Sequence, residues 1–406
     1  MFLRADLSGV KIGIGESVKV MGAINLSPES FYKGSIASGV EEALLIAERM
    51  VEEGASIIDI GGMSTAPYLE THVSEEEEKR RVLPVVRKLK DLGVPISVDT
   101  QRYSVASAAV EAGATIINDV SGLSDERIAD LVASHDLSLI LGARGKPESG
   151  DPLREIRRML REVLRRAEGI REERIAVDPL IGFFRNSELP WYVWDSIVLR
   201  GLRSLLILGR PICISVSRKS FIGAVTGVRD PEMRLPGSLA ATAIAVYNGA
   251  SLVRTHDVKE TMQAIKVAEF IRRDIEYASS NGIEAYQFTF DLSASDFEDM
   301  FLCVGSHSYG AKLMSRKAEF RVIYMRGVKN PVALVIKQEM LASGGEAAIP
   351  SSSIVMGSGE VDLLIIGNLK QLMKLIGKMG VNAREASSLS EDFSSVREVL
   401  LRLLRK

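Results

Sequence analysis

Residues 94–118 read VPISVDTQRYSVASAAVEAGATIIN. The apolar run Val94–Val98 ends in Asp99, and small and apolar residues at helical spacing cover Ser104–Ala112 before Gly113. A second apolar run, Thr115–Ile117, then ends in Asn118. Runs this short, bounded by polar or turn-forming residues, read as strands buried on both faces, while the three- and four-residue spacing between them reads as a helix. Two strands joined by a crossover helix are expected to lie parallel, because an antiparallel pair needs only a short turn.

The unit repeats in both directions. Further runs occur at Val18–Ile24, Ala55–Ile60, Leu137–Leu141, Ile175–Val177, Ile212–Val216 and Leu252–Val253, eight in all with the two quoted. Helices are expected over Val40–Glu53, Glu75–Asp91, Asp125–Ser134, Pro152–Gly169, Leu189–Leu208, Pro236–Asn248 and Val258–Ala278. Ser74, ahead of an acidic first turn, and Ser104 and Ser124 read as amino-terminal caps. Gly54, Gly93, Gly113 and Gly249 stand where a helix end favours a left-handed residue. Eight alternations favour closure over an open sheet, so the expected fold class is α/β, a TIM-type (β/α)8 barrel. Such barrels keep their chemistry at the carboxyl ends of the strands. The polar residues at or just past those ends are Asn25, Asp59, Asp99, Asn118, Arg144, Asp178, Lys219 and His256, which places them on one rim.

At 406 residues the chain exceeds the roughly 250 that one barrel needs, so a second, smaller domain is expected. The barrel is assigned residues 1–280. Ala278–Gln287, with Ser279-Ser280-Asn281-Gly282 inside it, reads as a boundary, and 286–406 reads as a small α/β domain without an assigned role. Within it Tyr286–Phe290, Phe320–Met325 and Val361–Ile366 read as strands. A capping box of Ser295 and Glu298 is expected to open one helix, with others at Pro331–Ser343, Leu369–Met379 and Glu391–Leu404. Lys337, Glu339 and Glu346 form no recognisable motif there and read as solvated helix faces. A formal charge of −2 gives no pull toward nucleic acid. No apolar stretch approaches the roughly 18 residues of a membrane span, and Met1–Lys19 mixes charges and glycines unlike a secretory signal. Cys213 and Cys303, both in apolar surroundings, read as buried free thiols in a reducing compartment, so a cytoplasmic protein is expected.

Asp99, Asn118 and Asp178 close the third, fourth and sixth strands. Two carboxylates and an amide in a barrel mouth suit the N–H-rich edge of a flat heterocycle, because a carboxylate facing a guanidine-like edge gains two parallel charge-assisted hydrogen bonds. Any one of them could instead cap the following helix. Ser217-Arg218-Lys219-Ser220 precedes Phe221-Ile222-Gly223 after the seventh strand, bringing cations and hydroxyls that attract an anion or a ring oxygen; a basic surface pair is the alternative. Arg254-Thr255-His256-Asp257 closes the eighth strand, where such barrels commonly bind phosphate. His256 alone among the four histidines has such a place, while His72, His135 and His307 read as local. Asn25 is a hard oxygen ligand suited to magnesium, which takes few protein ligands and adds substrate phosphates. No Cys/His cluster supports zinc, no Ser/His/Asp arrangement stands out, and Gly61-Gly62 lacks the dinucleotide fingerprint. Covalent-nucleophile and hydride-transfer chemistry are therefore poorly supported. The long loops Ser27–Gly39 and Gly61–Ser74 are candidate lids.

Taken in order, these motifs resemble the dihydropteroate synthase family of the pterin-binding barrel superfamily. Met21-Gly22-Ala23-Ile24-Asn25-Leu26-Ser27-Pro28-Glu29-Ser30-Phe31 is similar to its first-strand signature and Asp59-Ile60-Gly61-Gly62-Met63-Ser64-Thr65 to its second. Ser97–Thr100, Ile116–Gly122, Asp178–Phe183, Ser217–Gly223 and Arg254–Asp257 follow in family order, so the resemblance covers roughly residues 15–275. It implies a transferase that displaces pyrophosphate from 6-hydroxymethyl-7,8-dihydropterin diphosphate by an arylamine, with Mg2+ as cofactor, in folate or methanopterin-type cofactor biosynthesis. It implies that Asp99, Asn118, Asp178 and Lys219 hold the dihydropterin while Arg254 stacks on its ring. Asn25, Arg254 and His256 would hold the pyrophosphate, with Asn25 on the metal. Thr65, Pro67, Phe183, Lys219 and Ser220 would line the arylamine place, and Lys219, Asp99 and Asp178 would carry catalysis. Small-molecule substrates and a second copy in a homodimer are the expected partners, with no nucleic acid and no membrane.

Three departures stand out. Ala66 occupies the arginine place of the family's Ser-Thr-Arg-Pro loop, Leu141-Gly142 replaces a Met-His pair while Arg144-Gly145 is retained, and Phe184-Arg185 replaces Gly-Lys after Gly182-Phe183. Loss of an anion-binding arginine bears on p-aminobenzoate as acceptor. The appended domain resembles an archaeal-type relative, which implies a ribofuranosyl-aminobenzene phosphate as the other candidate. Two further readings fit the same barrel. A methyltetrahydropterin–corrinoid methyltransferase has no pyrophosphate to hold, so the Ser-Arg-Lys-Ser and Arg-Thr-His motifs count against it. A non-catalytic pterin-binding protein is the reading that Ala66 and Leu141-Gly142 keep open.

Overall fold

Eight parallel strands close into a barrel, as the alternation of runs and helices predicts. A hairpin of β1 (Arg4–Leu7) and β2 (Val10–Gly13) precedes them. The barrel strands are β3 (Lys19–Asn25), β4 (Ile57–Gly61), β5 (Ile96–Asp99), β6 (Ile116–Asp119), β7 (Ser138–Gly142), β8 (Ile175–Asp178), β9 (Ile212–Ser215) and β10 (Ala250–Thr255), and β10 pairs back onto β3. Their helices are α1 (Val40–Glu52), α2 (Glu75–Leu89), α3 (Tyr103–Ala112), α4 (Arg127–Ser134), α5 (Pro152–Arg166), α6 (Trp191–Arg200), α7 (Ser220–Thr226), α8 (Leu235–Tyr247) and α9 (Val258–Ile271). The structure is a computed structural model, and it describes residues 3–27, 36–65, 73–185, 187–272, 276–280, 283–287, 292–354, 359–385 and 388–404.

The amino end of the barrel is plugged by apolar packing. Ala5, Leu7 and Ile12 of the hairpin join Met21, Ile57, Ile116, Ile140, Ala176, Cys213 and Leu252 in one buried cluster. The Ser8 hydroxyl fixes the hairpin there by donating to the carbonyl of Thr115, just ahead of β6. What remains accessible is the opposite rim, where the strands end.

Local signals divide into those the structure keeps and those it corrects. Ser74 caps α2 by accepting from the Glu77 N–H at 3.2 Å, and Gly113 ends α3 with φ at 119°. Ser104 and Ser124 do not cap. Arg102 holds the cap position of α3, and the Ser104 hydroxyl bonds Glu75 from within the helix. Glu126 holds that of α4, and the Ser124 hydroxyl donates to Ser121 at 2.9 Å. Both hydroxyls find side-chain partners, which removes their pull on the helix start. The single helix expected over Leu189–Leu208 breaks at Gly201, and Leu202–Leu208 winds as a tighter 3-10 segment. Cys213 is a buried free thiol, but Cys303 is free and exposed.

The chain divides into two compact units, Met1–Phe290 and Asp291–Lys406. Residues on either side of 281–282 form an antiparallel pair, β11 (Glu276–Ser280) and β12 (Ile283–Gln287), within the first. The strand expected over Tyr286–Phe290 therefore overlaps β12 only at its end, and 288–290 lie outside the described residues. The second unit comprises α10 (Ala294–Cys303), α11 (Ser308–Ala318), β13 (Phe320–Lys329), α12 (Asn330–Ala342), β14 (Glu346–Ala348), β15 (Glu360–Asn368), α13 (Leu369–Glu385) and α14 (Ser390–Leu404). Its sheet runs β13-β15-β14, and Ile323, Leu363 and Ile365 pack with Val332, Ile336, Leu372, Leu375 and Leu400 of the helices. The capping box of α10 is Ser293 with Asp296, each accepting the other's backbone N–H, rather than Ser295 with Glu298. Among the described residues no helix is long and apolar enough to cross a membrane.

Candidate active site

Strand register levels the rim. In the ladders Asn25 lies opposite Gly61, Gly61 opposite Asp99, and Asp99 opposite Asn118; Gly142 lies opposite Asp178. One cleft is lined by Asn25, Thr65, Asp99, Asn118, Asp178, Phe183, Lys219, Ser220, Arg254 and His256. Every site residue expected from the sequence is thus brought together except Pro67, which lies outside the described residues.

Beneath the cleft is a carboxylate to which no role was assigned from the sequence. Asp59 is fully buried and accepts from the Ser97 hydroxyl at 2.6 Å, from Asn118 Nδ2 at 3.4 Å and from Arg254 Nε at 2.6 Å. Arg254 also donates through Nη2 to Asp99 Oδ2 at 3.1 Å. Burial alone would lower the Arg254 pKa, but Asp59 and Asp99 together outweigh it and hold the guanidinium above its ordinary value. The available signal was a charge inside an otherwise apolar strand, Ile57-Ile58-Asp59-Ile60, which a buried position tolerates only when paired.

The other two carboxylates carry raised pKa values. Burial pushes Asp99 up to about 7 against the attraction of Arg254, and its Oδ1 is buried with no hydrogen-bond partner among the described residues. Burial pushes Asp178 up to about 6, opposed by the Leu180 N–H, which donates to its Oδ1 at 2.7 Å, and by Lys219. Burial lowers the Lys219 ammonium, with Asp178 opposing. Lys219 Nζ donates to the Ile181 carbonyl at 2.9 Å and lies 5.0 Å from the centre of the Phe183 ring. His256 is pushed down to about 4 by burial and then by Arg254. Its imidazole is therefore neutral, with Nδ1 3.0 Å from the Ala23 carbonyl; that nitrogen carries the hydrogen and leaves Nε2 as an acceptor.

The basic pair after β9 splits. Lys219 faces the cleft, whereas Arg218 is buried, with φ at 52°, and turns away from it. Arg218 meets Asp257 through Nε at 2.9 Å and Nη2 at 2.7 Å, and its Nη1 donates to the carbonyls of Pro231 and Glu232. This bidentate pair ties the loop after β9 to the loop after β10. Asp195, a second carboxylate without an expected role, reaches from α6 to accept the Gly182 N–H at 2.9 Å; burial raises it to about 6. It holds the turn that presents Phe183. His135 and His307 are local, at the end of α4 and the start of α11.

The departures from the family pattern have a physical account where they are described. Leu180 adopts φ of 56°, and its methyl carbons lie 2.9 and 3.0 Å from where a Cβ on Gly142 would sit. A histidine at 142 cannot be built beside Leu180 without displacing it. Arg144 is exposed, and Ala66 lies outside the described residues. Asn25 Oδ1 and Asp99 Oδ2 flank Gly61, at 3.6 and 4.0 Å from a Cβ placed there, so hard oxygen donors face the cleft across a bare backbone. Among the described residues no group of three or more His, Cys, Asp or Glu is placed to hold a metal ion.

A closed parallel barrel with carboxylates, a lysine and an arginine gathered at its carboxyl rim is the layout of a TIM-barrel enzyme. The family model described as pterin binding enzyme matches residues 21–256. The dihydropteroate synthase of Bacillus subtilis is 40% identical over 260 residues, which cover 63% of this chain and 88% of that protein. A solved dihydropteroate synthase of Xanthomonas albilineans with 4-aminobenzoic acid is 38% identical with a TM-score of 0.60, covering 67% of this chain and 98% of that one. The same organism's enzyme in complex with 7,8-dihydropteroate is 35% identical with a TM-score of 0.57, covering 66% and 98%. The chain belongs to the pterin-binding enzyme family, on its dihydropteroate synthase branch. It is accordingly a transferase of the kind that serves folate biosynthesis.

Proposed function

We propose that this enzyme condenses 6-hydroxymethyl-7,8-dihydropterin diphosphate with an arylamine and releases pyrophosphate. The observation that carries the reading is the trio Asp99, Asn118 and Asp178 around one cleft, with Asp99 Oδ1 buried and without a hydrogen-bond partner among the described residues. A pterin edge rich in N–H donors would satisfy that oxygen and the Asp178 carboxylate, with Lys219 donating to the ring's acceptors and Arg254 against its face. The C–O bond to the diphosphate breaks, the amine lone pair forms the C–N bond, and the nitrogen then loses its proton. The carboxylates stabilise positive charge at the pterin methylene as the anion departs, so positioning and electrostatics suffice without a protein nucleophile. Arg254 and His256 are assigned to the diphosphate, and Thr65, Phe183, Lys219, Ser220 and, from the sequence, Pro67 to the arylamine.

The hard-oxygen donors around Gly61 fit magnesium, so Asn25 would hold it. When bound, the ion neutralises charge on the departing pyrophosphate. The acceptor is p-aminobenzoate, the ligand named with the Xanthomonas enzyme, or a ribofuranosyl-aminobenzene phosphate. Pyrophosphate release on mixing the pterin diphosphate with each amine tests the reading. Release with at least one amine, matched by a condensed pterin product, is expected; no release with any amine overturns it.

We infer that the functional form is a homodimer built on α8 and α9. Ile244, Tyr247, Val267 and Ile271 are exposed there, and Phe270 is 94% exposed, an apolar face of the sort that soluble proteins cover by self-association. Sedimentation velocity is expected to give a dimer for the natural chain and a monomer for Phe270→Glu. A monomeric natural chain removes the inference.

A further inference from the structure

Resting on the arylamine reading of the cleft, we propose that Arg185 is a specificity-determining residue that binds an anionic group on the acceptor amine. Its guanidinium carbon lies 3.8 Å from the centre of the Trp191 ring, and Nη2 donates to the Ser220 hydroxyl at 2.5 Å. Ser220 lines the cleft together with Phe183 and Lys219. A stacked arginine has its plane fixed without the stack using any of its N–H donors, so the fork stays oriented for a carboxylate or phosphate oxygen pair.

The other cleft cations have different work. Arg254 is held by two carboxylates and Lys219 by the Ile181 carbonyl and the field of Asp178. Arg185 stacks on the Trp191 ring and reaches Ser220, which lines the cleft, and it lies in the field of the Asp195 carboxylate. Gly61–Ser74, the loop after the second barrel strand, contains no Lys or Arg to take that part. An arylamine whose nitrogen points toward the pterin and whose ring lies along Phe183 brings its far substituent to Ser220 and Arg185.

The test compares p-aminobenzoate with neutral p-aminobenzamide in the natural enzyme, Arg185→Met and Arg185→Lys, reading kcat and KM for each amine and KM for the pterin diphosphate. In Arg185→Met the preference for the charged amine, as a ratio of kcat/KM values, is expected to fall about 10- to 100-fold, mainly through KM. Arg185→Lys is expected to restore part of it. An aniline carrying a ribosyl phosphate, run in parallel, identifies which anion the natural enzyme prefers, and the loss should fall on that amine. A preference unchanged in Arg185→Met, or equal losses for charged and neutral amines, overturns the Arg185 assignment alone. A natural enzyme inactive with every amine overturns the cleft reading itself.

Discussion

Asp178→Asn is expected to abolish turnover while making the ligand-free protein more stable. The carboxylate is buried at the rim, with one oxygen on the Leu180 N–H and a pKa raised to about 6 by burial. An acid that binds its proton more tightly folded than unfolded loses stability as pH rises from its unfolded value near 3.8 to about 6, and that cost persists at neutral pH. Its upper bound is about 3 kcal/mol, and losing the attraction to Lys219 reduces what the substitution recovers. Asparagine keeps an acceptor for Leu180 but sets an amide N–H against the donors of the pterin edge. With two charge-assisted bonds lost, kcat/KM for the pterin diphosphate should fall about 10³-fold or more. Lys219→Ala should likewise remove turnover and leave the fold intact, since its Nζ makes one hydrogen bond, to the Ile181 carbonyl, at the accessible rim. Pyrophosphate release and a calorimetric melt on the same samples check both halves; near-normal rates in either variant remove that residue from the site. In the natural enzyme, kcat/KM for the pterin should also decline as pH falls through about 7 and then about 6, where Asp99 and Asp178 in turn take up protons.

The second large effect concerns stability. Asp59→Ala should cost about 3–5 kcal/mol, because it strips the buried Arg254, Ser97 and Asn118 of their shared acceptor at once. Chemical denaturation measures the loss. Arg254→Met in the same background provides the control. Removing both charges should be less damaging than the sum of the single changes, since losing Asp59 alone leaves the buried guanidinium with only Asp99 as a carboxylate partner among the described residues. Additive losses would mean that Asp59 and Arg254 do not depend on one another.

Much of this was legible in the chain because barrel strands and helices have different periods. The short buried runs and the amphipathic stretches between them need no tertiary information, and most of the polar residues that end the runs therefore fall on one rim, though Asp59, inside β4, lies beneath it. What the pattern could not supply was direction. Arg218 and Lys219 are neighbours in sequence, yet a left-handed backbone at 218 sends one to Asp257 and the other into the cleft. Asp59 and Asp195 act on residues far from them in the chain, so local spacing carries no trace of their partners. Ser104 fails as a cap for the same reason, as distant Glu75 takes its hydroxyl, whereas the Ser124 hydroxyl goes to nearby Ser121. In the second unit, α11 is too mixed in composition and the three-residue β14 too short to announce themselves.

Leu180, which lines the cleft, sets its methyl carbons against the buried Gly142 of β7, so one wall depends on two neighbouring segments. Neither position can drift alone: a side chain at 142 collides with the leucine, and a small residue at 180 leaves a hole in front of a bare backbone. Growth at 142 therefore asks both the leucine side chain and the backbone at Val120 to give way. A molecule shaped to fill this cleft will meet a hydrocarbon bulge from Leu180, just past the end of β8.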